Sequence, residues 1–323
     1  GWNWVGNSFF GDCGQKADCN NQPMTPFQSF HSTLEKKFLD ASIPGSTGIT
    51  QSLGQALDQI ANHPNVAPFM ARRLIQQFIT SNPSRDYIGR VAKVFTNEGG
   101  NLGKVVKAIL LDPEARDIAY ATRTDSFGKL REPVIRLTNW MRAFDLQDGQ
   151  GQFLGPTSLA VSFAIASKRD ELCQYPMSSP SVFNFWRPGF VPNKLFSNLK
   201  LVAPEMQVVH EVCAANYLQM MRAVVNGVKD DDSTNGILSF GMTDGNNKVI
   251  IKSPYSSELS LEPTALVGRM NELLAAGRMS PALQTKIGSA VASVQGTSPT
   301  DKLKRAKIAT FLTMASTDYL VQK

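Results

Sequence analysis

The stretch Ser52-Leu-Gly-Gln-Ala-Leu-Asp-Gln-Ile-Ala-Asn-His63 indicates the fold class, because its apolar residues recur at the spacing of an α-helix. The residues on this apolar face are Leu53, Ala56, Leu57 and Ile60. A face of this kind is typical of a helix that packs against a hydrophobic core. The same periodicity continues along most of the chain, so the sequence predicts a mainly α-helical protein.

Prolines and capping residues predict where the other helices begin and end. Pro68 suits the first turn of a helix that ends before Asn82-Pro83, since proline disfavours helical geometry in its predecessor. Ser84 and Asn101 can each cap a further helix. The remaining predicted helices span Phe127 to Phe144, Leu159 to Ala166 and Pro204 to about Val225, with closing helices that begin near Pro263, Pro281 and Pro299.

Strand-like sequence is confined to one place in this interpretation. Ile237 to Met242 and Lys248 to Lys252 flank Asp244-Gly-Asn-Asn247, which predicts a hairpin. The predicted fold is therefore a multi-helix array with long ordered loops and one small β-hairpin. The glycine-rich stretch from Gly149 to Pro156 divides the chain into halves, 1–148 and 149–323, which the sequence also allows as one continuous domain.

Composition excludes several classes of protein. Of the 323 residues, 42% are hydrophobic and 19% charged, which is typical of a globular chain. No apolar run is long enough to span a membrane. The net charge of +6 is scattered, and its densest cluster lies in a predicted helix at Lys302, Lys304, Arg305 and Lys307. A solvated helix face is the favoured interpretation, a site for acidic polymer is the alternative, and no nucleic-acid partner is predicted.

Four cysteines suggest disulfides more than metal binding. Cys13 and Cys19 lie in a polar turn, where a short-loop disulfide is expected in an oxidising compartment. Cys173 and Cys213 suit a long-range bridge or two buried thiols equally well. His210 lies three residues before Cys213 on one helical face, so both could contact one metal ion, but their apolar neighbours favour packing.

Two short motifs carry weaker predictions. His31 stands near Lys36 and is the candidate general base, although a lone histidine in a loop is more often structural. Asp231, Ser233 and Asn235 resemble the start of a calcium loop, but the acid expected at its end is missing, which favours a plain acidic turn. Apart from this calcium candidate, no cofactor is predicted.

Arginines are the candidate anion-binding residues. Arg72 and Arg73 are adjacent, and Arg187 follows Trp186; such groups can hold carboxylate, sulfate or phosphate. Internal salt bridging, for example to Glu132 or Glu205, is the favoured alternative.

Several segments resemble a bacterial family of unknown function, domain-of-unknown-function family 1800. The segments that carry the resemblance are Met24 to Phe27, His31, Ala67 to Phe78, Gly100 to Arg116, Lys129 to Val134, the aromatic and proline-rich Ser179 to Pro192, Leu201 to Glu205, and Ala315 to Gln322. The chain resembles the carboxy-terminal two-thirds of a typical member. Members often have His-Asp followed by glycine and lysine where His31-Ser-Thr-Leu-Glu-Lys36 stands here, so the aspartate that would orient the histidine is absent.

The resemblance implies a largely helical, usually exported protein, often encoded beside an exported sulfatase-like partner. Together with the absence of any catalytic motif, it predicts an extracytoplasmic protein that binds a protein partner or self-assembles at the cell surface or in the matrix. The interface candidates are Trp2, Trp4, Trp186, Arg187 and Phe190.

The alternative is an enzyme acting on an acidic extracellular polymer. In this interpretation His31 is the base, and Lys36, Arg72 or Arg73 holds the anionic group. The residues do not decide whether the protein is an enzyme.

Overall fold

A computed structural model of the chain describes residues 1–3, 23–123, 126–146, 172–174, 179–226, 255 and 257–323. Within them the protein is mainly helical, as predicted. The described α-helices are α1 (Ile49–Ala61), α2 (Val66–Phe78), α3 (Arg85–Asn97), α4 (Leu102–Leu111), α5 (Pro113–Arg116), α6 (Ile118–Arg123), α7 (Pro133–Ala143), α8 (Lys194–Asn198), α9 (Glu211–Asn226), α10 (Pro263–Ala275), α11 (Pro281–Ala292), α12 (Pro299–Met314) and α13 (Thr317–Leu320).

Small two-stranded antiparallel sheets accompany the helices. The strands pair as β1 (Trp2–Asn3) with β2 (Thr25–Pro26), β3 (Lys36–Phe38) with β4 (Ala41–Ile43), and β5 (Lys129–Leu130) with β6 (Val321–Gln322). The sequence predicted none of these pairs, and the hairpin that it did predict, between Ile237 and Lys252, lies outside the described residues. In the turn between β3 and β4, Leu39 and Asp40 both have positive φ, 47° and 62°. A two-residue turn with that geometry matches the twist of its strands, but this one lacks the glycine that usually reveals it.

The helix starts predicted at Ser84, Asn101, Pro263, Pro281 and Pro299 are confirmed, while the helix predicted from Leu159 to Ala166 lies outside the described residues. Ser84 Oγ accepts from Tyr87 N at 3.0 Å, and Asn101 Oδ1 accepts from Lys104 N at 3.1 Å. Pro263, Pro281 and Pro299 each begin a helix, where the missing N–H of proline leaves no hydrogen bond unmade.

Two predicted helices are wrong in their limits. The helix from Phe127 begins only at Pro133, because Lys129 and Leu130 pair with the carboxy-terminal strand. The helix from Pro204 is a short 3₁₀ turn, Pro204–Gln207, followed after a break by α9. Tertiary contacts of the Glu205 and Gln207 side chains, described below, hold that turn in place.

The described residues form two compact units. One comprises Gly1–Arg72 with Ile88–Val105, and the other Arg73–Tyr87 with Val106–Lys323. The main core belongs to the second unit, where Trp140 and Met141 of α7 are buried with Tyr217, Met270 and Ile287. This core includes residues from both predicted halves of the chain, whose predicted boundary lies outside the described residues.

The helix α1 forms as predicted, but its apolar face is not buried. Leu53, Leu57 and Ile60 are between 39% and 55% exposed, while Ile49 and Ser52 are the buried residues of this helix. Periodicity identifies the helix, whereas burial depends on what the rest of the chain supplies, and β4 is the main neighbour of α1 in the first unit. The face remains open to solvent.

Among the described helices, none is both long and apolar enough to cross a lipid bilayer.

Candidate functional site

Two tight turns form the proline-rich segment 179–192, called here the turn segment. In the first, Asn184 N donates to Ser181 O at 3.1 Å, which places Val182 and Phe183 at its tip. Ser181 Oγ also accepts from Phe183 N at 3.1 Å. In the second, Phe190 N donates to Arg187 O at 3.0 Å around Pro188 and Gly189. Proline and glycine in the centre of such a turn explain why the chain reverses here.

The turn segment is anchored to the rest of the second unit, to which it belongs. Trp186 is buried, so this predicted interface residue serves as an internal anchor. The backbone N–H of Arg187 donates to Gln207 Oε1 at 2.8 Å, and Phe190 O accepts from Ala203 N at 2.9 Å. These contacts fix the backbone on both sides of the second turn.

The anchored segment presents large apolar side chains to solvent. Val182 is 95% exposed and Phe183 is 69% exposed. Leu195 and Leu199, on and just after α8, are 62% and 59% exposed. Single exposed apolar residues are ordinary, but several close together in sequence, on the turn segment and on the neighbouring α8, are typical of a contact surface. Arg187 is exposed and Phe190 half-buried, so both predicted interface residues lie on this segment with part of their surface accessible.

A buried ion pair lies next to the anchors of the turn segment. Lys129 Nζ lies 3.0 Å from Glu205 Oε1, with side chains only 6% and 1% exposed. The same ammonium donates to the carbonyls of Gln77 at 2.7 Å and Gln76 at 3.3 Å, at the carboxy-terminal end of α2. Lys129 therefore satisfies helix carbonyls that would otherwise lack a donor. Glu205, considered in the sequence as a partner for arginine, pairs with this lysine.

The Gln76 side chain connects this ion pair to the turn segment. Its Nε2 donates to Ser81 O at 2.9 Å and to Pro188 O at 3.4 Å. Asn82 makes two hydrogen bonds to the backbone of Val202. Its side-chain amide donates to Val202 O and accepts from Val202 N, both at 2.9 Å. Residues from four of the segments that carry the family resemblance thus meet around one polar cluster.

Gly128 allows the chain to approach the carboxy-terminal strand closely. Its φ is +118°, and a Cβ there would lie 2.7 Å from Gln322 O. Its own N–H donates to Thr80 Oγ1 at 2.9 Å. Only glycine fits both the backbone angle and the space, which fixes the position of the neighbouring Lys129.

His31 and Lys36 lie near one another in the first unit. Partial removal of the ring from water and then the positive charge of Lys36 lower the pKa of His31 below its ordinary value. The histidine Nε2 is shielded from solvent and has no hydrogen-bond partner among the described residues. Lys36 Nζ donates to Ser32 O at 3.0 Å and Leu34 O at 3.2 Å, so its charge stabilises the loop. A catalytic role for this pair stays a prediction.

The two adjacent arginines face different environments. Arg72 is exposed, whereas Arg73 is half-buried and donates to Gln76 Oε1 at 2.8 Å. Consecutive residues on a helix point about 100° apart, so the pair does not form one clamp by adjacency alone. Anion binding by either arginine stays a prediction.

The basic cluster in α12 contributes to the ends of other helices. Arg305 donates from Nε at 3.2 Å and from Nη2 at 3.0 Å to Val294 O, just beyond α11. Lys307 Nζ donates to Asn226 O at the end of α9, and burial lowers the pKa of this lysine. Two of the four cations in the predicted cluster therefore bind backbone oxygens within the protein.

Two arginines and two tyrosines lie together beside the main core. The guanidinium of Arg136 stands 4.7 Å from the centre of the Tyr217 ring, and that of Arg131 stands 4.7 Å from the Tyr319 ring. Tyr319 Oη donates to Arg136 O at 2.7 Å. Burial lowers the pKa of Arg136 and raises the pKa of both tyrosines, so the phenols stay neutral.

The second pair of cysteines forms a disulfide. Cys173 and Cys213 are bridged with their Cα atoms 5.8 Å apart, which decides between the two interpretations that the sequence allowed. His210 Nε2 lies 2.9 Å from Cys213 Sγ. Cys213 is buried, Cys173 half-buried and His210 exposed.

Other predicted site residues lie outside the described part of the chain. They are Trp4, the cysteines Cys13 and Cys19, and the calcium candidates Asp231, Ser233 and Asn235. Trp2 is described, half-buried in β1.

The sequence did not identify Val182, Phe183 or the pairing of Lys129 with Glu205 as features of the site. Val182 and Phe183 lie in the proline-rich stretch from Ser179 to Pro192, and an apolar pair between turn-forming serines and asparagine was the available signal. Lys129 and Glu205 lie far apart in sequence, so no local pattern could pair them.

Comparisons with known proteins give one match. A family model described as "Protein of unknown function (DUF1800)" matches residues 1–321. No curated protein and no solved structure matches the chain.

Proposed function

The chain belongs to the DUF1800 family, and we propose that this member is an extracytoplasmic protein that binds another protein through its turn segment. The partner would present an apolar surface that receives Val182 and Phe183. In this proposal the protein is a binding or assembly component of the bacterial cell surface or matrix.

The exposure of Val182 and Phe183 on an anchored turn carries the proposal. Burying a valine or phenylalanine side chain contributes about 1.5–3 kcal/mol, which is a large share of a typical binding energy. The anchors also matter, because a segment already held in one shape loses little conformational entropy on binding. Trp186 and Gln207 would supply that preorganisation.

The bridged cysteines support an extracytoplasmic location. Disulfides persist mainly in oxidising compartments, and Cys173 and Cys213 are joined by one. The family resemblance implies export, which agrees with an extracytoplasmic location.

Site-specific photo-crosslinking in the native bacterium tests the proposal. A benzophenone amino acid replaces Phe183 in one strain and Ile118 in another, since both side chains are 69% exposed in the second unit. We expect a discrete protein adduct from position 183, identified by mass spectrometry, and none from position 118. Light scattering after size-exclusion chromatography then separates a different partner from a second copy of the chain.

Substitution provides the quantitative test once the partner is identified. Val182→Ser/Phe183→Ser should weaken binding by about 2 kcal/mol or more, while Ile118→Ser should leave it unchanged. A partner whose affinity is the same for both variants would overturn the proposal, as would a protein that is monomeric and gives no position-specific adduct. A crosslinker at Leu57 shows whether the open face of α1 contacts a partner as well.

The enzymatic alternative requires His31 and a cation to be accessible to substrate. His31 Nε2 would have to become accessible to substrate, and Arg72 would be the accessible cation for an acidic group. Hydrolysis of an acidic polysaccharide that is lost in His31→Gln, with the fold intact, would favour this alternative.

A further inference from the structure

The disulfide and His210 form a cluster that the proposed binding function does not use. The sulfur atoms of Cys173 and Cys213 and a ring nitrogen of His210 all lie within 4.8 Å of one another. We propose that reduction of this disulfide converts the cluster into a zinc site with two thiolate ligands and one imidazole ligand. The inference is independent of the turn segment's role.

The ligand types fit zinc closely. Zn²⁺ binds cysteine sulfur and histidine nitrogen in tetrahedral sites, and three protein ligands leave the fourth position for water. Tetrahedral geometry requires a sulfur–sulfur separation of about 3.8 Å and a sulfur–nitrogen separation of about 3.6 Å. His210 Nε2 already lies 2.9 Å from Cys213 Sγ, so modest side-chain rotations after reduction would reach this arrangement.

The backbone holds two of the three ligands at fixed spacing. Ala214 N donates to His210 O at 2.9 Å, so His210 stands at the start of α9 and Cys213 lies in its first turn. Residues three apart on a helix share a face, which directs both ligand atoms to the same point. Cys173 supplies the third ligand from a residue with a left-handed φ of 55°. The backbone therefore places His210 beside Cys213, and the disulfide holds Cys173 beside both.

The redox step is a two-electron exchange with a dithiol. The dithiol gives two electrons and two protons to the sulfur–sulfur bond, which breaks to leave the thiols of Cys173 and Cys213, while the dithiol closes into its own disulfide. Zinc then replaces the two thiol protons, which are released to solvent. Oxidation and zinc binding exclude one another, because both use the same sulfur electron pairs.

Metal titration of the full chain tests the inference. The background variant Cys13→Ser/Cys19→Ser removes the other two cysteines and is prepared oxidised and reduced. Zn²⁺ alone is titrated in competition with a chromophoric chelator, and Co²⁺ is used as a spectroscopic probe. We expect one equivalent of zinc on the reduced chain and none on the oxidised chain, with a thiolate-to-cobalt charge-transfer band in the reduced form.

Histidine variants identify the third ligand. His210→Ala should weaken zinc binding by roughly tenfold or more, because losing even an outer-shell partner of a metal ligand typically costs that much and His210 would be a direct ligand. His63→Ala is the matched control and should bind zinc like the background variant. Equal binding by His210→Ala and the background overturns the inference. It is overturned equally if the reduced chain binds no zinc, if the oxidised chain binds as much, or if the reduced chain unfolds by circular dichroism and zinc does not restore it.

Discussion

Replacing Lys129 by methionine should be among the most destabilising single changes in the second unit. The substitution keeps the apolar stem but removes the ammonium group, which leaves the Glu205 carboxylate buried without its ion-pair partner. It also removes the donor to the carbonyls of Gln76 and Gln77. Breaking a buried ion pair costs about 3–5 kcal/mol, and each buried acceptor left without a donor adds to that cost. We therefore expect a loss of about 4 kcal/mol in the free energy of unfolding.

A double-mutant cycle separates the ion pair from the rest of the effect. Glu205→Gln leaves the lysine without its counter-charge, and Lys129→Met/Glu205→Gln removes both charges. Because the two side chains are in contact, the double variant should lose less stability than the sum of the single variants, by about 1–3 kcal/mol. Urea unfolding followed by tryptophan fluorescence measures all four proteins, since Trp140 and Trp186 are both buried in the second unit.

Clear outcomes would refute this reasoning. If Lys129→Met costs less than about 1 kcal/mol, the ion pair and the helix-end contacts do not stabilise the fold as argued. Strict additivity in the cycle would show that Lys129 and Glu205 do not interact. As a control, Lys37→Met should change stability by less than about 0.5 kcal/mol, because its ion pair with Glu35 is solvent-exposed.

Three other predictions concern titratable groups and the disulfide. Burial raises the pKa of Tyr217, Tyr255 and Tyr319 above the ordinary tyrosine value, so above about pH 10 only the unfolded chain releases these phenolic protons. The free energy of unfolding should therefore fall by about 1.4 kcal/mol per pH unit for each tyrosine. Tyr255→Phe should remove one such contribution in alkaline urea titrations. The NMR titration midpoint of His31 should lie below that of an ordinary histidine and rise in Lys36→Met; an unchanged midpoint would contradict the proximity of the two groups. Cys173→Ala/Cys213→Ala should cost roughly 4 kcal/mol, since the bridge closes a loop with a sequence separation of 40, and thermal or urea unfolding against the oxidised parent measures this loss.

Local signals predicted the helices well because helix starts are encoded locally. The hydroxyl of Ser84 and the amide of Asn101 each satisfy a backbone N–H within three residues. A pattern of that range can be read without knowing the fold. Pro281 also begins a helix for a local reason, because its ring fixes φ near the helical value and its nitrogen has no hydrogen to leave unpaired.

Features that depend on distant residues were not predictable in this way. The limits of the helix near Phe127 are set by a strand pairing with residues at the other end of the chain. The apolar face of α1 remains open because few described elements of the first unit pack against it. At the candidate site, the sequence identified the turn segment as aromatic and proline-rich, but it did not show that Trp186 would be buried while Val182 and Phe183 stay exposed.

The distribution of cations over helix ends changes how the net charge of +6 should be interpreted. The carbonyl groups in the last turn of each helix have no donor within the helix, so at a buried helix end other groups have to donate to them. Here Lys129 serves the end of α2, Arg131 donates to Leu274 O in α10 at 3.3 Å, and Arg305 serves the end of α11. These cations are bound to backbone oxygens of the protein itself, so their N–H groups are not free to contact an acidic polymer directly. An anion-binding role has to rest on cations that remain exposed, such as Arg72, and not on the charge of the whole chain.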